Sequence, residues 1–390
     1  MTQPEYVTST PNLNGVSQPS ARVLRLEFGG LGNADFDLFW LADNCPTGFH
    51  PQTGERTFDL LSLPDDLSLR AWRIDDKEEL ALAWAHDERE SRFSATWLWE
   101  HRPGVRRADP AAEALNLWSA ADFPDGPVRH NADRIMISDA ALLDWLIDTR
   151  RFGLTLVEGI RGGGEASVAL ARRIGFLRET NFGVTFEVVN KPAPNNLAYT
   201  AIALPLHTDL ANQELAPGLQ FLHCIANEAR GGGSVTADGF AIAEALRAQN
   251  PQAFRVLSQI AVPFRFFDSG ADIRIRRPVI GLDADGRLRD IAFNAHLVDL
   301  IDLPIESVGA WYDAYRAFMR ITRDPAYRLT FKLAAGEMMA FDNRRVFHGR
   351  EAFDPTTGFR HLHGCYVDQG EFESQIRILS QGSSLHMAVR

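Results

Sequence analysis

The chain has 390 residues, too many for one ordinary core, so two domains are expected, one of them large. Hydrophobic residues make up 45% and charged residues 23%, as in soluble globular proteins rather than disordered or membrane-spanning ones. The net charge of −11 repels phosphates, which argues against nucleic acid or an anionic membrane as partner; a small anion held by a local cluster of donors stays open.

Residues 1–20 are polar, with neither a basic start nor an apolar stretch, so they read as a disordered tail without a secretory signal. The three cysteines, Cys45, Cys224 and Cys365, are too few and too far apart for a disulfide framework, and they suit a reducing compartment. No window approaches the ~18 apolar residues of a membrane helix. A cytoplasmic protein is expected. Residues 21–105 alternate in short runs such as Val23-Leu24-Arg25-Leu26-Glu27-Phe28 and Leu80-Ala81-Leu82-Ala83-Trp84, which predicts a small N-terminal β domain. Residues 106–128, with Pro110, Pro124, Gly126 and Pro127, read as a linker carrying one short helix near Glu113–Trp118.

The second domain is assigned to residues 129–390. Ser138 can cap a helix with Asp139 in its first turn, where the helix dipole favours a carboxylate. Phe152–Val157 reads as a buried strand. Further helices are predicted at Glu165–Gly175, Gly239–Gln249 and Ile305–Arg320. Strands are predicted at Val184–Val189, Ala201–Leu206, Leu219–Ile225, Val279–Leu282, Arg328–Lys332, Met338–Phe341 and His361–Val367. Many short strands with peripheral helices give a mainly β fold with flanking helices (α+β), with a jelly-roll core.

Within that core, His207-Thr208-Asp209 sits at a strand end, where residues i and i+2 share a face. An imidazole and a carboxylate then reach one metal from one side. A turn or cap role is the bland alternative. His348, before Gly349 at the end of a β run, supplies the third ligand; its alternative is a buried, hydrogen-bonded histidine. Two histidines and one carboxylate form the facial triad of Fe(II) oxygenases, which leaves coordination positions open. A cosubstrate such as 2-oxoglutarate needs a fixed cation for its far carboxylate, and an arginine offers a bidentate fork. Arg360 lies twelve residues after His348, a spacing that permits a hairpin back to the metal strand. Ser234 is a candidate helper at another strand start. His361 and His363 alternate on a later strand and could support the metal ligands. A surface salt bridge is the bland reading of Arg360.

These residues resemble the γ-butyrobetaine and trimethyllysine hydroxylase family, within the taurine-dioxygenase-like Fe(II)/2-oxoglutarate oxygenases. The resemblance runs through Phe39-Trp40-Leu41-Ala42-Asp43-Asn44-Cys45-Pro46, Asn195-Asn196-Leu197-Ala198-Tyr199-Thr200, His207-Thr208-Asp209 and Leu222-His223-Cys224. It continues in Phe341-Asp342-Asn343, His348-Gly349-Arg350 and Arg360-His361-Leu362. It implies a double-stranded β-helix, His207, Asp209 and His348 as iron ligands, and Arg360 with Ser234 on 2-oxoglutarate. It implies an aromatic cage of Phe182, Phe186, Tyr199 and Tyr366 around a trimethylammonium group, the recognised use of cation–π attraction. Asn196 and Asn294 would meet the substrate's anionic end, with His296 as an extra donor. A homodimer is expected. The family's N-terminal structural zinc, held by three cysteines and a histidine, is matched clearly only at Cys45, with His50 and His86 as stand-ins, so that site is doubtful.

The implied reaction couples O₂ and oxidative decarboxylation of 2-oxoglutarate to hydroxylation of the second carbon from nitrogen in a small trimethylammonium compound. Drift at the zinc motif, the paired phenylalanines and His296 lean toward 2-(trimethylammonio)ethylphosphonate, giving its 1-hydroxy product. The alternatives are γ-butyrobetaine, giving carnitine, and a non-catalytic metal-binding jelly roll.

Overall fold

The computed structural model describes residues 10–190 and 200–381, which fall into two compact units divided at Asp109/Pro110. In the first, β1 (Leu13–Ser20), β2 (Val23–Phe28) and β3 (Gly32–Asp37) form one antiparallel sheet, and β4 (Leu69–Ile74), β5 (Glu79–Trp84) and β6 (Glu90–Ser94) another. Alternation buries Leu24, Leu26 and Phe28 on one face of β2. Arg25 on the opposite face makes two 2.7 Å bonds to Asp35, its cross-strand partner. Two short helices, α1 (Leu38–Asp43) and α2 (Ala95–Glu100), add Leu38, Leu41 and Leu98 to that core.

The expected tail needs correction here. Residues 13–20 are not disordered: they pair with β2 from Leu13↔Phe28 to Ser20↔Val23, and Leu13 is buried. Their polar composition reflects an edge strand with one solvated face. The zinc candidates do not converge. The Cys45 thiol meets the Thr47 hydroxyl at 3.1 Å, His50 accepts from its own turn, and His86 packs on Trp84. Their donors do not fit a closed four-ligand site.

The second unit is layered. A six-stranded sheet has the order β7 (Arg129–Asn131), β8 (Leu154–Glu158), β19 (Met338–Asp342), β11 (Leu219–Asn227), β22 (Arg360–Val367), β9 (Thr185–Val189). A four-stranded sheet has the order β10 (Leu204–His207), β20 (Val346–Arg350), β13 (Ser234–Asp238), β18 (Leu329–Phe331). Smaller pairs are β12 (Arg230–Gly231) with β21 (Phe353–Asp354), β14 (Val262–Phe267) with β15 (Asp272–Arg277), and β16 (Ile280–Leu282) with β17 (Leu288–Ile291). The period of two sorts every side chain. Leu219, Phe221, Met338, Ala340, Cys365 and Val367 point outward, into one apolar cluster with α3 (Ala132–Ile137), α4 (Asp139–Phe152), α5 (Gly164–Arg172) and α9 (Gln369–Gln381). Val235, Ala237 and Phe347 point outward from the smaller sheet, toward α6 (Gly239–Gln249), α7 (Pro251–Gln259) and α8 (Ile305–Thr322). Leu154, Leu222, Met339, Phe341, Val346 and Leu362 fill the space between the sheets. Each fully buried Leu or Phe contributes about 1.5–3 kcal/mol. This is the expected jelly roll with flanking helices.

Local signals read well. The Ser138 hydroxyl caps α4 by accepting from Ala141 N at 3.2 Å, and Gly153 ends the helix at φ 72°. The short helix expected near Glu113–Trp118 is absent. Its backbone is spent elsewhere: Asn116 N donates to Arg151 O, Asn116 O accepts from Arg345 Nη2, and Trp118 N donates to Asp238. Residues 110–128 are thus no linker but part of the second unit, with Ala111 and Trp118 buried. No helix among the described residues is long and apolar enough to cross a membrane.

Candidate metal centre and active site

Strands β10 and β20 are antiparallel, with His207 directly opposite His348. Opposed residues have Cβ atoms about 4.5–5.5 Å apart, so the register alone brings the imidazoles together. Their ring centroids are 4.3 Å apart. Asp209 arrives differently from the i, i+2 expectation, because β10 stops at His207 and the chain turns at Leu210, φ 56°. Asn343 sets its place: Asp209 N donates to Asn343 Oδ1 at 2.7 Å, and Asn343 Nδ2 donates to Asp209 O at 3.0 Å. Asp209 Oδ1 then lies 3.2 Å from His207 Nε2, and Oδ2 lies 3.8 Å from His348 Nε2. The three ligand atoms lie within 4.8 Å of one another, the one such group of metal-ligating side chains among the described residues.

The protonation states suit a cation. His207 Nδ1 donates to the Pro205 carbonyl at 2.8 Å, which aims Nε2 at Asp209 Oδ1. Burial, then the nearby His207, pushes His348 down to about 3 despite the Asp209 carboxylate. Burial works to raise Asp209, but His348, His207 and the Tyr366 hydroxyl outweigh it and hold the carboxyl well below its usual range. A neutral His348 beside an ionised Asp209, with His207 Nε2 aimed at the same point, fits a divalent metal with open positions.

A cavity of about 320 Å³ opens on this triad. His207, Asp209, His348, Ser234, Arg360, Phe182, Phe186, Tyr366, Asn294 and His296 all line it. Asn196 and Tyr199 lie outside the described residues. Arg360 is 5% exposed and stands over Phe353, with no carboxylate partner among the described residues. Burial lowers its pKa to about 10. Gly232, at φ +70°, makes room for it: a Cβ there would come within 3.1 Å of Arg360 Cδ. Ser234 is buried opposite Arg350, whose guanidinium donates to the Thr200 and Ile202 carbonyls at 2.6 and 2.8 Å. A buried, unpaired guanidinium is costly until an anion arrives.

Phe186 stacks on Tyr366 at 5.1 Å, over Gly364, where a Cβ would come within 2.3 Å of the ring. Phe182 meets Phe266 edge-on at 5.4 Å. Asn294 spends much of its amide on the fold, donating to Thr208 O and accepting from His296 N. Burial, and then His207, lowers the pKa of His296, so this ring is a neutral donor at pH 7. Sequence reading missed Gln220, Asn343 and Phe266. Gln220 was visible as the lone polar residue in Leu219-Gln220-Phe221-Leu222. The suggestion that His361 and His363 support the ligands fails, because alternation turns both outward, to Glu187 and to Ser167 of α5.

A 2-His-1-carboxylate triad between the sheets of a jelly roll, with a buried arginine beyond it, defines an Fe(II)/2-oxoglutarate-dependent oxygenase. The chain belongs to the TauD/TfdA family: the family model described as taurine catabolism dioxygenase TauD, TfdA family, matches residues 121–366. It is 41% identical to the γ-butyrobetaine dioxygenase of Pseudomonas sp. (strain AK-1) across 89% of this chain and 91% of that one. It is 32% identical to the γ-butyrobetaine dioxygenase of Homo sapiens across 89% and 91%. It is 28% identical to the trimethyllysine dioxygenase of Meyerozyma guilliermondii across 92% and 93%. The chain is therefore a dioxygenase, which removes the non-catalytic reading.

Proposed function

We propose that this dioxygenase hydroxylates γ-butyrobetaine at the second carbon from nitrogen, giving carnitine. In this reading His207, Asp209 and His348 seat the iron, and Arg360 with Ser234 holds the far carboxylate of 2-oxoglutarate. One observation carries it: the triad, the unpaired arginine and an aromatic wall line a single cavity, in a chain 41% identical to a γ-butyrobetaine dioxygenase.

Bound iron supplies activation of O₂ coupled to decarboxylation of the keto acid to succinate and CO₂. The protein's own side chains bind and orient. Phe182, Phe186 and Tyr366 present ring faces to a trimethylammonium group, with Phe266 as backing; each such contact is worth about 0.5–2 kcal/mol. Tyr199, expected in the same cage, would add a further ring. The free N–H of Asn294, with Asn196, meets the substrate carboxylate. The apolar wall of Phe182, Phe266 and Leu297 keeps water from the reacting carbon.

The carboxylate substrate is better supported than the phosphonate favoured by the sequence. A phosphonate carries more negative charge and calls for a further cation, and the neutral His296 does not supply one. The relatives at 41% and 32% identity also carry the γ-butyrobetaine name. The test is mass spectrometry of products from γ-butyrobetaine, trimethyllysine, 2-(trimethylammonio)ethylphosphonate and taurine, with succinate measured alongside. A gain of one oxygen atom on γ-butyrobetaine, matched by succinate, is expected. Hydroxylation of another compound with γ-butyrobetaine left untouched would overturn the proposal.

A further inference from the structure

Asp209 is held from a direction the triad does not use. Its Oδ2 accepts from Gln220 Nε2 at 2.8 Å and from the Tyr366 hydroxyl at 2.8 Å. Gln220 and Tyr366 face each other directly in the β11–β22 register, so one cross-strand pair delivers both donors. A carboxylate oxygen has two in-plane lone pairs, and both on Oδ2 are taken. No side-chain donor of this kind meets Oδ1 among the described residues, and it faces His207 Nε2 at 3.2 Å.

We propose that Gln220 and Tyr366 are positioning residues that make Asp209 a one-oxygen metal ligand. A carboxylate binding through both oxygens would fill one of the three open positions that a chelating keto acid and O₂ require. With Oδ2 committed to two donors, only Oδ1 is left to turn toward the metal. The chemistry of Gln220 supports this role. It is 1% exposed, its Oε1 has no hydrogen-bond partner, and its bond to Asp209 is its side chain's hydrogen bond among the described residues. A buried amide with an orphaned oxygen is a poor core filler, so the amide is kept for the proton it donates. Tyr366 adds a second link, because the ring that stacks on Phe186 carries the hydroxyl that holds the ligand.

The inference rests on the iron seat, not on the choice of substrate. Its test uses Co(II), whose visible bands report coordination number, on the full-length metal-free protein. Gln220→Leu and Tyr366→Phe are compared with wild type and with His348→Ala. Each of the first two is expected to weaken Co(II) binding about 10–100-fold, as lost outer hydrogen bonds to metal ligands do. Their bands should weaken and shift toward higher coordination, a change in ligand number that a loss of stability alone does not produce. If Gln220→Leu does not fold, Tyr366→Phe decides alone. Unchanged affinity and bands in the clamp variants, with binding lost in His348→Ala, overturn the clamp and leave the seat intact. Wild-type binding in His348→Ala overturns the seat itself.

Discussion

On β13 and β20 the inward positions are mostly polar: Ser234, Thr236, Asp238, His348 and Arg350 are all buried, with Val346 the apolar exception. On β11, β19 and β22 they are mostly apolar, with Leu222, Met339, Phe341 and Leu362 beside Gln220, Tyr366 and Arg360. The first sheet has strands of three to five residues and is tied by an ion pair, Arg345 to Asp238, in which Arg345 is 1% exposed. The second has the long β11–β22 ladder and apolar packing on both faces. The imidazoles that would hold a metal thus stand on the sheet held by polar bonds. Phe186, Tyr366 and Arg360, proposed to meet substrate and cosubstrate, stand on the sheet held by packing. Metal seating and ligand recognition should fail separately.

The largest test of that contrast is Arg345→Met. Arg345 donates to both Asp238 oxygens and to the Arg151 and Asn116 carbonyls. Its loss leaves a buried carboxylate uncompensated and should cost about 3–5 kcal/mol in chemical denaturation. A cost under about 1 kcal/mol would show that polar bonds do not hold this sheet. Arg360→Met should act the other way. It should raise the KM for 2-oxoglutarate about 10–100-fold, the loss of a charge-assisted bidentate contact. The ligand-free protein should be no less stable, because that cation has no carboxylate partner among the described residues. A fall in stability without a change in KM would return Arg360 to a structural role.

Acid should weaken the metal-free protein most through two buried histidines, one on each sheet. Burial pushes His348 down to about 3 and His223 to about 4, from 6.5. Between those values and 6.5 the unfolded chain binds more protons than the folded one. Stability therefore falls as the pH drops from 6.5 toward 4, by up to about 1.4 kcal/mol per pH unit for each histidine. His223→Leu should lessen the slope of urea midpoints measured across that range, leaving the shares of His348 and of His130, His296 and His363, which burial also lowers; an unchanged slope removes His223 from the account. The smallest effect is expected from Phe186→Leu. It should raise the KM for γ-butyrobetaine about 2–30-fold and leave that for 2-oxoglutarate unchanged, since one cation–π face is worth about 0.5–2 kcal/mol. Equal effects on both constants would mean that the wall and the arginine are not separate.

The sequence carried the fold through alternation and caps, which are local. Gly239–Gln249 was placed residue for residue, with Asp238 accepting from Phe240 N and Ala241 N at its start. The imidazoles were legible because a strand register brings them together. What stayed hidden depends on distant partners. Nothing near Glu113–Trp118 announces that Arg345 and Asp238 will take its backbone. Nothing beside Asp209 announces that Asn343 will turn it. The outward direction of His361 and His363 was legible in principle, since Arg360, Leu362 and Tyr366 share the opposite parity on the same strand.

The hold of Arg345 and Asp238 on residues 116–118 also decides where this polypeptide can be cut. A fragment beginning at 129, the boundary drawn from prolines and glycines, would strip Trp118 from its hydrogen bond to Phe152 O and empty its place against Phe341 and Val346. A fragment beginning at 110 keeps that wedge. Between those two start points lies the difference between a second unit that keeps Trp118 in its core and one that loses it.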